Sequence, residues 1–194
     1  MDTELSPKAA EIVDRTRALL ALGGYNGFSY ADIASAVGIS KPSIHHHFPS
    51  KALLVQSVLQ RYRAEARVGL AMLEQRMPDP LAQLQAYTGY WAQCIRDGSA
   101  PFCICAMLAA ELPAIPADVA AEVRAHFRDL GAWLAAALGR AVAQHGIRLQ
   151  GSPEAEAQAF MATVHGAMLS ARASGDPELF AVIVGPLMQR LATR

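Results

Sequence analysis

Charge is scarce in this sequence of 194 residues, and it is balanced: Lys and Arg number 17, Asp and Glu number 17, and together they make up 18% of the chain. No overall positive charge draws it to nucleic acid. The low charge together with 53% hydrophobic residues excludes a disordered chain and places the protein among globular ones. Cysteine is limited to Cys94, Cys103 and Cys105, an odd number crowded into one region. A disulfide scaffold is therefore not expected, and with no secretory pattern ahead of them the expected location is a reducing cytoplasm. Long hydrophobic runs are missing as well. The most apolar stretches, Gly98 to Ala110 and Ala157 to Ala171, fall short of the roughly 18 uncharged residues that cross a bilayer, so no membrane segment is expected. Alternating strand patterns, internal repeats and low-complexity tracts are absent too.

What is present is helix punctuation. Ser6-Pro7, Asp79-Pro80, Ser152-Pro153 and Asp176-Pro177 each read as a capping side chain followed by proline in the first helical position. There the cap oxygen takes up a free N–H, and the missing proline N–H costs nothing. Apolar residues follow at helical spacing: Ile12, Thr16, Leu19 and Leu20; Leu81, Leu84, Thr88, Trp91 and Ile95; Val119, Val123, Phe127, Leu130 and Leu134. Stops stand at Gly23-Gly24, Gly146 and Gly175. The pattern predicts an all-α chain of about nine helices. One long helix runs over about 50–76 and another over about 116–146. The long fourth helix joins an N-terminal module, residues 1–50, to a body, residues 51–194.

Charge is distributed unevenly between these parts. Residues 1–67 carry eight Lys and Arg against six Asp and Glu, net +2, together with three histidines, and the remainder is net −2. The excess is small and supports a DNA-facing N-terminus only weakly.

The stronger signal is local. From Ser29 the chain reads Ser-Tyr-Ala-Asp-Ile-Ala-Ser-Ala-Val-Gly-Ile-Ser-Lys-Pro-Ser-Ile-His-His-His-Phe-Pro-Ser-Lys. Ser29 caps a short helix with Asp32 near its positive end. Ile33, Ala34 and Val37 form that helix's inner face, Gly38 makes the turn, and Ser40 caps a second helix whose inward residues are Ile44 and Phe48. This is a helix-turn-helix. The second helix leaves Lys41, Pro42, Ser43, His45 and His46 outward, a short polar set that fits a major groove about 12 Å wide. Lys41 suits guanine acceptors or a phosphate, Ser43 suits either, and Pro42 suits a thymine methyl. His45 and His46 lie where phosphates pass, and Lys51 with the first N–H groups of helix 4 suits a phosphate clamp.

These residues resemble the TetR family of bacterial one-component regulators. The resemblance rests on Asp32-Ile33-Ala34, Gly38-Ile39-Ser40, His47-Phe48 and Ser50-Lys51, in that order and spacing, and covers about residues 8–67. It implies a DNA-facing set of Ser29, Tyr30, Ser40, Lys41, Pro42, Ser43, His45, His46 and Lys51. The family commonly has tyrosine where this chain has His45, which puts the operator preference in question. The resemblance further implies a homodimer on a near-palindromic double-stranded operator, a small-molecule effector in the body, and repression released by that effector. Pairing is expected through the last two helices, where Phe160, Val164, Met168, Leu179, Ile183 and Leu187 are apolar.

In the body, Pro101 to Glu111 resembles the Gly-Cys-Leu and Ala-Ala-Glu segments of the branch containing the N-ethylmaleimide reductase repressor, with Phe102 in place of the glycine. Cys103, near a helix start, is the candidate thiol for sensing electrophiles. Buried packing is the competing reading for it. Cys103 and Cys105, two apart on a helix, are expected to point to different faces. Effector-pocket candidates are Trp91, Cys94, Phe102, Cys103, Met107, Phe127, Trp133, Met161, His165 and Met168, all of which also suit an ordinary core. No metal site is expected, since His45, His46 and His47 diverge around a helix, and no cofactor is implied. A helical enzyme is the alternative from another class, but no catalytic triad, phosphate loop or paired carboxylates support it. A helix-turn-helix used for protein contacts is a third reading, opposed by the exposed Lys41, Ser43 and Lys51.

Overall fold

The computed structural model describes residues 5–192. These form nine α-helices and one 3-10 turn, with no strand among the described residues. The helices are α1 (Pro7–Gly23), α2 (Tyr30–Val37), α3 (Lys41–His47), α4 (Lys51–Arg76), α5 (Pro80–Asp97), α6 (Ile104–Ala109), α7 (Ala117–His145), α8 (Pro153–Ser174) and α9 (Glu178–Ala192), with the 3-10 turn at Leu112–Ala114.

The predicted caps are made. The side chains of Ser6, Asp79 and Ser152 accept the N–H groups of Ala9, Leu81 and Ala155. Asp176 accepts from Glu178 at 3.0 Å and so starts α9 one residue after Pro177. Gly98, Gly146 and Gly175 end α5, α7 and α8 in the left-handed region, at φ of 72°, 66° and 64°.

Packing divides the chain into two compact units. The first holds the residues up to Glu65 together with Cys103–His126, and the second holds Ala66–Phe102 together with the chain from Phe127 onward. Compactness therefore does not break at residue 50. The first unit takes the start of α4, all of α6 and the start of α7 along with α1–α3, because the core of a three-helix module this small is completed by whatever helices cover it.

In the first unit Ile12, Leu20, Ile33, Ile44, Leu54, Leu59 and Leu108 are fully buried. Arg17 pairs with Glu65 at 2.7 Å and stacks over the Tyr62 ring, and Arg63 pairs with Glu122. The Arg17 pair is solvent-exposed and contributes little by itself.

In the second unit α5 and α7 run antiparallel, as the pairs Asp79 with His145 (2.8 Å), Gln83 with Arg140 (2.8 Å) and Tyr87 with Trp133 (ring centroids 5.8 Å apart) show. Helices α7 and α8 are also antiparallel: Phe127 meets His165 at 5.2 Å between ring centroids, and Gly131 faces Gln158. Phe160, Val164 and Met168 of α8 and Leu187 of α9 are buried within their own chain. They are core, not a waiting pairing surface. The helical repeat explains this, since the largest apolar residues define the inward stripe. Leu169 and Val182 are the ones left outside, 60% and 66% exposed.

Candidate nucleic-acid interface

The head of the first unit is organised around short, well-capped helices. Ser29 and Asp32 form a reciprocal capping box: the Ser29 side chain accepts the Ala31 N–H at 3.2 Å, and Asp32 accepts the Ser29 N–H at 2.7 Å. Hydrogen bonds from the Ser29 side chain and backbone hold the Asp32 carboxyl below its ordinary range. Gly38 ends α2 at φ 71°, a left-handed conformation that favours glycine, and turns the chain into α3. Ser40 then accepts the Ser43 N–H at 3.3 Å. Ile44 (0% exposed) and Phe48 (5%) anchor α3 inward, while Lys41, Pro42, His45 and His46 are exposed and Ser43 is half-buried. A seven-residue helix seated on one face and polar on the other is the shape that a major groove admits.

Five of the sequence-derived site residues turn out to have work inside the module. Ser29 and Ser40 spend their hydroxyl oxygens on caps. The Tyr30 hydroxyl donates to the Phe48 carbonyl at 2.9 Å and ties the start of α2 to the end of α3. Its phenol is pushed up to about 12 by burial and by Tyr25. Lys51 donates to the Phe28 carbonyl and sits over the rings of Tyr25 and Phe28, 4.8 and 4.1 Å from their centroids. Burial pulls its ammonium below the ordinary lysine range, opposed by Glu111 and Asp32. His45 packs against Tyr30 with the rings tilted by 56° and 4.6 Å between centroids, and its Nδ1 lies 3.3 Å from the Pro49 carbonyl oxygen.

The sequence reading missed Glu111. Its carboxylate accepts the Tyr25 N–H at 2.6 Å, across 86 positions of chain, and lies against Gly24, where an added Cβ would meet it at 2.6 Å. Gly24 has φ 69°, a conformation that favours glycine, and a side chain there would displace the Glu111 carboxylate. Gly23-Gly24 was readable as a helix stop. Nothing local tied it to Glu111.

Cys103 and Cys105 are close enough to influence each other, contrary to the expectation that they face apart. Cys103 is the N-cap of α6, with φ −69° and ψ 118°, so it precedes the helix and does not follow its rotation. Burial, with Cys103 as the next cause, pushes the Cys105 thiol well up. Cys103 also receives the Tyr62 hydroxyl at 3.5 Å and lies 3.9 Å from His126 Nε2. At 1% and 0% exposure both thiols are closed to solvent.

The remaining pocket candidates divide between the units. Met107 is half-buried in the first, and Trp91, Cys94, Phe102, Phe127, Trp133, Met161, His165 and Met168 belong to the second. Phe102 is buried under the Arg172 guanidinium, 5.5 Å from its ring centroid. Among the described residues no group of three or more His, Cys, Asp or Glu is placed to hold a metal ion, and no helix is long and apolar enough to cross a membrane.

Residues 12–58 match the family of bacterial regulatory proteins of tetR type, and residues 80–184 match the tetracyclin repressor-like C-terminal domain. The chain belongs to the TetR family. It is a DNA-binding transcriptional regulator and not an enzyme. A TetR-family transcriptional regulator from Agrobacterium tumefaciens shares 55% identity over 94% of this chain and 96% of its own, with a TM-score of 0.92. The fold is also that of a TetR regulator from Legionella pneumophila (22% identity, 98% of each chain, TM-score 0.84) and of the reduced form of E. coli NemR (22% identity, 92% of this chain and 94% of that one, TM-score 0.79). No curated protein sequence matches the chain.

Proposed function

We propose that this TetR-family regulator is a homodimeric repressor that reads a near-palindromic operator with α3 and is released from it by a small-molecule effector held in the body. The observation that carries the DNA reading is the split face of α3: Ile44 is wholly inside, while Lys41, Pro42, His45 and His46 are outside. In this reading residues 1–50 read DNA, α4 connects, and residues 51–194 bind the effector and pair the chains. Lys41 and Ser43 face base edges, His45 and His46 face phosphates, and Ser29, Tyr30, Ser40 and Lys51 set the geometry of the module from beside the groove. The exposed Leu169 and Val182 support pairing through α8 and α9. A noncovalent effector fits better than an electrophile, since a reactive cysteine must be an accessible thiolate and both α6 thiols are buried.

The test is to select DNA fragments with the purified protein from random or genomic DNA at several salt concentrations. A palindromic motif bound more weakly as salt rises is expected. Recovery of no such motif, or binding indifferent to salt, overturns the reading.

A further inference from the structure

Three buried nitrogens of the second unit find no hydrogen-bond partner on the protein: Nε1 of Trp91 in α5, Nε1 of Trp133 in α7 and Nε2 of His165 in α8. Trp91 is only 6% exposed. An indole N–H can only donate, and burying it unpaired forfeits its bond to water with nothing in return. The chain has two tryptophans, and both are in this condition. Packing alone would be served as well by phenylalanine.

The helix register brings the three groups to one level. Trp133 of α7 stands beside Tyr87 of α5, and Phe127 of α7 beside His165 of α8. Trp91 lies one turn beyond Tyr87 on α5, so in the antiparallel pairing it falls level with α7 positions between Trp133 and Phe127. Along α7 these positions span about 9 Å, at 1.5 Å per residue. Around them are the rings of Tyr87, Phe127 and Phe160, with Tyr87 and Phe160 6.4 Å apart between centroids. These nitrogens are thus set among flat apolar surfaces, with the half-buried Asp129 carboxylate also at this level of α7. The indoles are neutral donors, and burying an anion here would require a paired cation.

We propose that these nitrogens are the polar contacts of the effector site, and that the effector is a flat, apolar, uncharged molecule carrying a carbonyl-type acceptor. Trp91 and Trp133 donate to it, and His165 binds through Nε2 in whichever tautomer the ligand selects. This rests on the effector reading above and names the chemistry of that site.

The experiment uses the full-length protein, ¹⁵N-labelled, so that each tryptophan gives one indole N–H signal. The probes are 2-acetylnaphthalene and 2-ethylnaphthalene, nearly the same in shape but differing in the acceptor. With the ketone both indole proton signals should move downfield and saturate, while the hydrocarbon should bind about a hundredfold more weakly, the worth of the two indole hydrogen bonds it cannot make. Trp91→Phe and Trp133→Phe should each weaken the ketone about tenfold, leave the hydrocarbon's affinity unchanged, and leave the unliganded protein's melting midpoint the same or higher.

No saturable indole shift with the ketone, or equal affinity for the two probes, overturns the proposal. So does a lower midpoint in the unliganded Trp→Phe variants, which would show the N–H groups already satisfied by internal water. Fluorescence anisotropy of the selected operator, read on the same samples, separates this from the reading it rests on. Saturable indole shifts without operator release leave the site standing and overturn its role as the effector switch.

Discussion

In the first unit the Lys51 ammonium reaches the Phe28 carbonyl, the Glu111 carboxylate takes the Tyr25 N–H, and the Tyr30 hydroxyl reaches the Phe48 carbonyl. In the second unit Gln83 is satisfied by Met77 and Arg140, and Glu156 by Gln150 and Arg190, yet the aromatic nitrogens of Trp91, Trp133 and His165 have no such partner. A polar group tied to its own chain fixes a shape, whereas one left unpaired in an apolar setting gains only when something else arrives. The first unit uses its polar groups to hold a reading surface rigid before DNA is met, which lowers the ordering cost of binding. The second keeps part of its hydrogen-bonding capacity for a visitor.

The largest expected effect that would break this contrast is at Gly24. Gly24→Ala forces an unfavourable φ and displaces the Glu111 carboxylate that holds the Tyr25 N–H, and should cost about 1–3 kcal/mol in urea denaturation. A loss below about 0.5 kcal/mol would mean that the contact is slack. Next comes Lys51→Met, which leaves the Phe28 carbonyl without its donor and should cost about 1–2 kcal/mol while leaving the salt slope of operator binding unchanged. A slope shallower by about one would instead assign Lys51 to a phosphate.

The sharpest comparison pairs two removals of a single polar hydrogen. Tyr30→Phe should destabilise by about 1 kcal/mol and Trp91→Phe by about zero, because only the first hydrogen has an acceptor. Equal losses in chemical denaturation would erase the difference between the units. The smallest effect is a pH dependence. Because hydrogen bonds from Ser29 hold Asp32 below the usual 3.8, its stabilisation is present above that value and fades as pH falls through the lowered one. Helical circular dichroism followed below pH 4 should show a flatter acid limb for Asp32→Asn than for the parent chain.

Much of the fold was legible because helix caps are local. Ser6, Asp79 and Ser152 act within three residues of themselves, and Ile33, Ile44 and Phe48 follow the helical repeat, so the helix-turn-helix could be placed to within a residue. The limits were set by contacts between distant positions. Tyr30 to Phe48, Lys51 to Phe28 and Tyr25 to Glu111 span 18, 23 and 86 positions. No periodicity encodes them, so Tyr30 and Lys51 were read as facing outward only. The cysteine pair was misjudged for another reason: the rotation rule holds within a helix, and Cys103 stands just before one. Phe160 and Met168 were apolar enough for an interface and for a core alike, and only their burial separates the two.

The buried thiols also give the molecule a clock. Cys103 and Cys105 lie in the first unit and Cys94 in the second, and none can meet an alkylating reagent until its surroundings open. The labelling rate at each is then the intrinsic chemical rate multiplied by the fraction of time spent open, which converts directly to a local opening free energy. Operator DNA that slows labelling at Cys103 and Cys105 but not at Cys94 stabilises the first unit alone. An effector that reverses the ranking reports which unit has taken up the binding energy.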